Sequence, residues 1–332
     1  MPNWNEVLRE IHHAAVEAQQ KFQSALNDVR HKYLTNLHKH TSRNAIAYYS
    51  GWLSKPSVAQ GDINDEDKNG FMMAVHELDR DKGLDLILHT PGGGIAATQS
   101  IVHYLRKMFN NDIRAIVPQL AMSAGTMIAC SCKEIVMGKQ SNLGPIDPHM
   151  RGIPAQGVIK EFKRAIREIK RDPATISVWQ PIISQYRPTF LSQCEQAIQW
   201  SNTFVESQLA TVMFDGDPEA NKKAVAIRKF LSDYSRNKTH DRHIHADECK
   251  QHGLKIIELE EDPKLQDLVL TIHHCYMHVF MNGPAYKVIE NHLGRALIKN
   301  AGNTPTQISP PSGEAQPSLQ SRSAPWQIVS PP

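Results

Sequence analysis

The sequence predicts an α/β protein with a parallel sheet, and three observations support that prediction. Two largely apolar runs that are each followed or ended by a proline, Leu84–Thr90 and Ile113–Val117, have the length of buried strands. A helical pattern, Ile95–Met108, separates them, and a shorter helical pattern precedes a third apolar run at Glu134–Met137. Strands and helices that alternate at these lengths are typical of βαβ units. Functional residues of such sheets lie where the strands end.

The N-terminal residues, from 3 to about 40, are predicted to form one long helix. Apolar side chains recur every three or four positions between Trp4 and Val29, with polar residues between them. A narrow apolar stripe is typical of a helix that docks on another surface or on a partner helix. The sequence leaves open whether that surface belongs to the same domain or to a second chain.

The segments on either side of the central stretch extend the alternating pattern. Asn44–Trp52 is a strand candidate, and acidic residues at Asp62–Asp65 open a predicted helix. A helix followed by a strand is predicted in the segment HADECKQHGLKIIELE. The other predicted helices are Ile159–Asp172, Thr189–Met213, Pro218–Ser232 and, with an interruption near Gly283, Leu265–His292.

The composition is that of an ordinary globular protein. Among 332 residues, 40% are hydrophobic and 21% are charged, which is sufficient for one large core. The formal net charge of +3 is too small to indicate a nucleic-acid partner. We therefore predict an N-terminal helix (residues 1–42), one α/β domain (43–298) and a flexible tail rich in proline and serine (299–332).

The cysteines and the apolar runs predict a soluble, cytoplasmic protein without an integral membrane segment. Five cysteines, an odd and scattered set, are typical of reduced thiols. No apolar run approaches the ~18 residues that a membrane span requires. The N-terminal sequence MPNWNEVLRE has neither the basic nor the apolar region of a signal peptide.

Ser123 and a glycine turn are the candidate site residues. Ser123 follows the second predicted strand and opens a short helix, so the N–H of Ala124 has no partner within that helix. The turn Gly92-Gly93 follows the first strand and offers a second unshielded backbone donor. Two such donors beside a hydroxyl nucleophile form an oxyanion hole for acyl transfer. Small residues at strand–helix turns also occur simply because they permit close packing.

Three motifs carry a family resemblance. The segments HTPGGG, AMSAGTMIA and SNLGPIDP together resemble the fold group of Clp proteases and signal peptide peptidases, and more narrowly the serine dehydrogenase proteinase family. The resemblance extends from about Asn44 to Gly294. It implies a Clp/crotonase-like superhelix of repeated ββα units with a parallel sheet. It also implies a serine peptidase that needs no cofactor, acts on peptides or proteins and assembles into a homo-oligomer.

The sequence offers more than one candidate for the base that activates Ser123. A serine hydroxyl is a poor nucleophile until a neighbouring base takes its proton. The histidine that Clp proteases carry after the nucleophile helix is missing here, where the chain reads Gly144–Asp147. The resemblance to the serine dehydrogenase proteinase family, which uses serine, aspartate and histidine in that order, implies Asp147 and His240.

Other bases remain open at this point. His149 lies two residues beyond Asp147, and two such neighbours on an extended chain point to the same side without pairing ideally. Lys163 keeps a serine–lysine dyad possible, as signal peptide peptidases use, and Lys139 is a weaker candidate.

No metal site is expected. The pairs His243/His245 and His274/His278 have ligand-like spacing but lack the glutamate of an HExxH motif and an obvious third ligand. Two other functions stay possible for this fold. One is a CoA-thioester enzyme that uses the same two N–H groups, and the other is a scaffold without catalysis.

Overall fold

The computed structural model describes residues 4–17, 22–58, 60–150, 152–302 and 306–308. The helices of these ranges are α1 Trp4–Glu17, α2 Phe22–Thr41, α3 Asp67–Val75, α4 Ile95–Phe109, α5 Ala124–Cys130, α6 Ala155–Arg171, α7 Ile176–Ile183, α8 Phe190–Gln208, α9 Ala220–Ser232, α10 Tyr234–Asn237, α11 Ala246–Gln251 and α12 Pro263–Asn282. The strands are β1 Asn44–Ser50, β2 Leu84–His89, β3 Ile113–Val117, β4 Leu120–Ala121, β5 Glu134–Met137, β6 Asn142–Leu143, β7 His149–Met150, β8 Ile153–Pro154, β9 Ile244–His245, β10 Ile256–Glu258, β11 Ala285–Asn291, β12 Ala296–Asn300 and β13 Thr306–Ile308.

A central sheet has the strand order β10-β5-β3-β2-β1-β11-β12-β13. The first five strands are parallel, and the last three add antiparallel pairings. Every residue of β1 and β2 is buried, as expected for parallel strands that are covered on both faces. The parallel sheet predicted from the sequence is confirmed, and its strands β2, β3 and β5 fall where the apolar runs lie.

Two apolar layers cover the sheet because side chains alternate along each strand. On β1, Ile46 and Tyr48 face the layer that includes α3, α4, α5, α8 and α9. Ala47 and Tyr49 face the opposite layer, formed with α1, α2 and α12. The strand ends that carry the glycine turn and Ser123 therefore sit on a rigid, doubly covered scaffold.

The N-terminal region forms two helices rather than one. Glu10 of α1 accepts a hydrogen bond from the Tyr33 hydroxyl of α2 at 2.6 Å. In a continuous helix those residues would lie ~34 Å apart, so the chain turns back and the helices pack against each other. Val7 and Ile11 are fully buried in the layer with α12, which shows that this face docks on the chain's own core. Among the described residues, no helix has both the length and the apolar character needed to cross a membrane.

The segment Leu265–His292, predicted as an interrupted helix, is a helix followed by a strand. After α12 the chain forms β11, which pairs antiparallel with β1. Lys287 and Glu290 of β11 are both buried in ion pairs, with Asp67 and Arg30 respectively. Because charged residues occupy these buried positions, the segment lacks the continuous apolar run by which an interior strand is recognised in a sequence. Of the predicted tail, only residues 299–302 and 306–308 are described.

Candidate active site

A small three-stranded sheet gathers the candidate site residues. β4 pairs parallel with β6, and β6 pairs antiparallel with β9. The ends of β4 and β6 therefore meet at one edge, where β9 begins. Ser123 follows β4 by two residues, Asp147 follows β6 by four, and His240 precedes β9 by four. The three segments leave the sheet at the same edge although they are far apart in the sequence.

The backbone of Ser123 is held in an unusual conformation at the start of α5. Its φ of 50° and ψ of −113° lie outside the regions that a residue with a β-carbon normally adopts. The turn is tied to the loop after β6, since the Thr126 hydroxyl donates to Ala121 O at 2.8 Å and accepts from Gly144 N at 2.9 Å. The N–H of Ala124, in the first turn of α5, has no hydrogen-bond partner within the described chain. Ser123, a partly exposed residue, thus precedes a free backbone donor.

The glycine turn after β2 packs directly on this serine. A β-carbon on Gly92, whose φ is +98°, would lie 2.7 Å from Ser123 Cβ and 3.0 Å from Ala124 N. A β-carbon on Gly93 would lie 2.2 Å from Ile63 N. No other residue fits either position, because real β-carbon contacts are not shorter than 3.0 Å.

The two glycines differ in what their N–H groups do. The N–H of Gly92 donates to Thr90 Oγ1 at 3.2 Å, whereas that of Gly93 makes no hydrogen bond to any described residue. Gly93 and Ala124 therefore offer the two free donors, and Gly92 shapes the turn between them. Hydrogen bonds from Ile63 N to Gly92 O, 2.7 Å, and from Gly94 N to Ile63 O, 2.8 Å, fix that turn.

Asp147 and His240 form a hydrogen-bonded pair. Asp147 is 2% exposed, and its Oδ1 lies 3.0 Å from His240 Nδ1. A carboxylate only accepts hydrogen bonds, so the Nδ1–H of His240 donates, and in the neutral ring the lone pair is then on Nε2. This is the tautomer that a general base requires.

His149 is a second histidine on the same carboxylate. Its Nε2 lies 3.4 Å from Asp147 Oδ2, and its ring centroid is 4.2 Å from that of His240. The contact lacks hydrogen-bond geometry, which leaves the buried Nε2 atom without a hydrogen-bond partner among the described residues. Burial, followed by the proximity of His240, lowers the pKa of His149 below its ordinary value.

The hydroxyl of Ser123 is not hydrogen-bonded to a base among the residues described. Bonds between a catalytic hydroxyl and its base are often long without substrate and shorten when it binds. The alternative bases Lys139 and Lys163 are both exposed, and neither is hydrogen-bonded to Ser123. Of the candidate bases, His240 and His149 are the ones that share the edge of the small sheet with Asp147.

Among the described residues, neither histidine pair with ligand-like spacing belongs to a group of three potential metal ligands. His243 and His245 are exposed, and His278 Nε2 lies 3.3 Å from Trp4 O. Within the described ranges, metal-ligand proximity is found for Asp147, His149 and His240, whose donor atoms lie within 4.8 Å of one another.

A buried charged cluster supports the glycine turn and was not predicted. Lys287 Nζ donates to the backbone oxygen of Asp62 at 2.6 Å and to both carboxylate oxygens of Asp67 at 2.9 Å. The Tyr48 hydroxyl donates to the same carboxylate at 2.7 Å. These contacts hold the segment whose Ile63 pairs with the glycines. No local sequence pattern links these residues, since they come from three distant segments.

Comparison with known proteins shows the family of the chain. The family model of the ClpP-like SDH-type serine proteinase matches residues 51–289, well over half of the chain. Two proteins of Methanocaldococcus jannaschii are similar. Uncharacterized protein MJ0137 is 30% identical over 214 residues, 64% of this chain and 65% of its own length. Uncharacterized protein MJ1495 is 27% identical over 194 residues, 58% of this chain and 59% of its own length. From the family match, this chain belongs to the ClpP-like SDH-type serine proteinases.

Proposed function

We propose that the protein is a serine peptidase-like hydrolase that cleaves peptide bonds through an acyl-enzyme on Ser123. The hydrogen bond between Asp147 and His240, at the edge of the sheet that presents Ser123, is the observation that carries this proposal. Family membership supports the same reaction class. The names of the two relatives describe no activity, so the roles of the residues are inferred from the site and from the family resemblance.

The proposed reaction uses each residue in a distinct role. His240 Nε2 takes the proton of the Ser123 hydroxyl while its oxygen attacks the carbonyl carbon of the peptide. Asp147 holds the ring in the required tautomer and stabilises the imidazolium that forms. The N–H groups of Gly93 and Ala124 stabilise the negative oxygen of the tetrahedral intermediate. His240 then protonates the leaving amine, and water hydrolyses the acyl-enzyme by the same steps.

The substrate class, the oligomeric state and the cellular location are part of the proposal. We infer a peptide or protein substrate and a homo-oligomer, because the Clp fold group that the chain resembles works in assemblies that restrict access to the cleft. We also infer a cytoplasmic location, because all five cysteines are buried free thiols. Light scattering of the purified protein tests the oligomer directly.

A fluorophosphonate probe tests the proposal, because it reacts with activated serine hydroxyls. The wild type is labelled and the modified peptide is identified by mass spectrometry, in parallel with Ser123→Ala, Asp147→Asn, His240→Gln and Lys163→Ala. His243→Gln is the matched control, since His243 lies near His240 but is exposed. In the wild type we expect a label on Ser123. We expect the label to be lost in Asp147→Asn and His240→Gln and to be kept in Lys163→Ala and His243→Gln.

Other results would point elsewhere. Loss of the label with Lys163→Ala alone would replace the triad by a serine–lysine dyad. A folded protein without any label would contradict the hydrolase, and binding of an acyl-CoA would then favour a thioester enzyme that uses the same two N–H groups. A protein that neither reacts with the probe nor binds acyl-CoA would be a scaffold.

A further inference from the structure

Asp147, His149 and His240 place three metal-ligating side chains around one point. His240 Nδ1 lies 3.0 Å from Asp147 Oδ1, and His149 Nε2 lies 3.4 Å from Asp147 Oδ2. One donor atom of each residue lies within 4.8 Å of the other two. The proposed peptide hydrolysis requires only one of these two histidines, so the second is left without a role in that reaction.

The spacing suits a tetrahedral Zn²⁺ ion. With metal–ligand distances of about 2.0–2.2 Å, neighbouring ligand atoms in a tetrahedron lie about 3.3 Å apart. The distances of 3.0 and 3.4 Å involve different oxygens of Asp147, and one donor atom of each residue lies within 4.8 Å of the other two, so side-chain rotations must bring the three donors to the tetrahedral spacing. Two imidazoles and one carboxylate form a ligand set typical of zinc, and three protein ligands leave a fourth position for water.

The charge state of the cluster also favours a cation. His149 has a ring nitrogen that the fold leaves unused. Its Nε2 atom is buried without a hydrogen-bond partner in the described chain. The carboxylate of Asp147 contributes one negative charge, and Asp241 lies close enough to act electrostatically on His149. A hard cation such as Mg²⁺ prefers a site made of oxygen ligands, so the site discriminates between the two metals.

We propose that Asp147, His149 and His240 form an inhibitory Zn²⁺ site that switches off the serine hydrolase. This inference rests on the proposed function for its inhibitory effect, but not for metal binding. When Zn²⁺ binds His240 Nδ1, the proton of the neutral ring moves to Nε2, so Nε2 loses the lone pair that would accept the Ser123 proton. Binding weakens as the pH falls, because a protonated ring must first lose a proton. The bound ion separates the ring from Asp147 and places a positive charge beside it. His240 then no longer accepts the Ser123 proton. His149 supplies the third ligand, so zinc inhibits the enzyme only when His149 is present.

Calorimetric titration with ZnCl₂ tests the metal site without any need for activity. The protein used is Ser123→Ala, compared with the same variant carrying in addition His149→Gln or His243→Gln. With 17 histidines in the chain, weak surface binding is expected in all three. One tighter equivalent is expected in Ser123→Ala and in the His243 control, and it is lost with His149→Gln. A tight equivalent that persists without His149, or none in Ser123→Ala, overturns the site.

Probe labelling then tests the inhibition. Zinc is expected to slow labelling of wild-type Ser123 at least tenfold, with recovery after EDTA, whereas MgCl₂ has no effect. Each variant is compared with its own metal-free rate, and the ratio for His149→Gln is expected to stay near one. His149→Ala repeats the test with a smaller side chain. If zinc slows labelling equally with and without His149, the proposal is overturned. If the wild type is not labelled at all, the proposed hydrolase is wrong, but the calorimetric test of the metal site remains valid.

Discussion

Gly92 and Ser123 are in such close contact that a β-carbon on the glycine would lie 2.7 Å from the β-carbon of the serine. The turn after β2 and the start of α5 therefore act as one unit. Two conditions exclude a side chain from Gly92, namely its φ of +98° and the lack of space beside Ser123 and Ala124. The position of the glycine turn relative to Ser123 and Ala124 therefore depends on this contact.

We expect Gly92→Ala to lower the rate of Ser123 labelling strongly, because the new methyl group pushes Ser123 away from the donors of Gly93 and Ala124. Removal of a single oxyanion donor costs about 10²–10³-fold in rate in a serine protease, and displacement of the turn should cost at least as much. The matched control is Gly216→Ala, at φ +76° with no atom within 4 Å of the added carbon. It shares the backbone strain of about 1–3 kcal/mol but not the clash, so equal labelling of the two variants would contradict this account.

We expect Asp147→Asn to keep the fold and to lose most of the reactivity of Ser123. An amide that donates to His240 Nδ1 stabilises the wrong tautomer and provides no charge for the imidazolium. The corresponding change in a serine protease triad costs about 10⁴-fold. Labelling rates and thermal unfolding of the same samples separate the two effects. A rate within tenfold of the wild type would exclude Asp147 as the orienting residue.

We expect Asp67→Asn to destabilise the fold by about 3–5 kcal/mol, since it leaves the buried ammonium group of Lys287 without its counter-charge, whereas Lys299 keeps its pair with Glu66. Lys287 and Lys299 both pair with this carboxylate, at 2.9 and 3.2 Å. Burial already lowers the pKa of Lys287 despite the attraction of Asp67. Urea unfolding measures the loss. The control is Glu219→Gln, which breaks the exposed pair with Lys222 and should cost less than about 1 kcal/mol.

The buried charges also explain which parts of the fold the sequence predicts. Apolar runs that a single charged residue interrupts, such as Ile113–Val117 with Arg114, are recognised as strands at their true bounds. β11 is not recognised, because Lys287 and Glu290 interrupt its apolar pattern and their partners lie far away in the sequence. Burial of such residues follows from tertiary contacts that no local pattern contains.

The candidate active site, too, could be predicted from the sequence only in part. Ser123 and the glycine turn are recognisable because small residues at strand ends form a local pattern. The sheet that unites Ser123, Asp147 and His240 consists of two-residue strands, which are too short to produce any periodicity. The family resemblance, rather than local chemistry, therefore singles out His240. The proximity of His149 to the same carboxylate emerges only from the three-dimensional arrangement.

We expect the fold to lose stability as the pH falls below about 6.5, the ordinary pKa of histidine. His89 and His273 are buried with ring centroids 5.1 Å apart, and burial lowers the pKa of both, that of His273 to about 3. Since the unfolded chain binds these protons more readily, the stability is complete above pH about 6.5 and falls towards pH about 3. Each ring contributes up to about 1.4 kcal/mol per pH unit in that window.

Melting temperatures between about pH 7.5 and about pH 5 measure this slope. His89→Leu removes one titrating group from a site where neither ring nitrogen has a hydrogen-bond partner among described residues, so its slope should be shallower. His243→Gln, at an exposed position, should leave the slope unchanged. Identical slopes in wild type and His89→Leu would show that the acid sensitivity arises elsewhere.

We expect Ser123→Gly to be at least as stable as Ser123→Ala, although glycine normally costs about 0.5–1 kcal/mol relative to alanine in ordered structure. The φ of 50° and ψ of −113° strain any residue with a β-carbon, by about 1–3 kcal/mol, and glycine relieves that strain. Both variants lack the hydroxyl, so neither is labelled and the comparison isolates the backbone. Urea unfolding of the pair provides the measurement. If Ser123→Gly is less stable by the ordinary amount, the fold stores no strain at Ser123, and the serine is presented by packing against Gly92 alone.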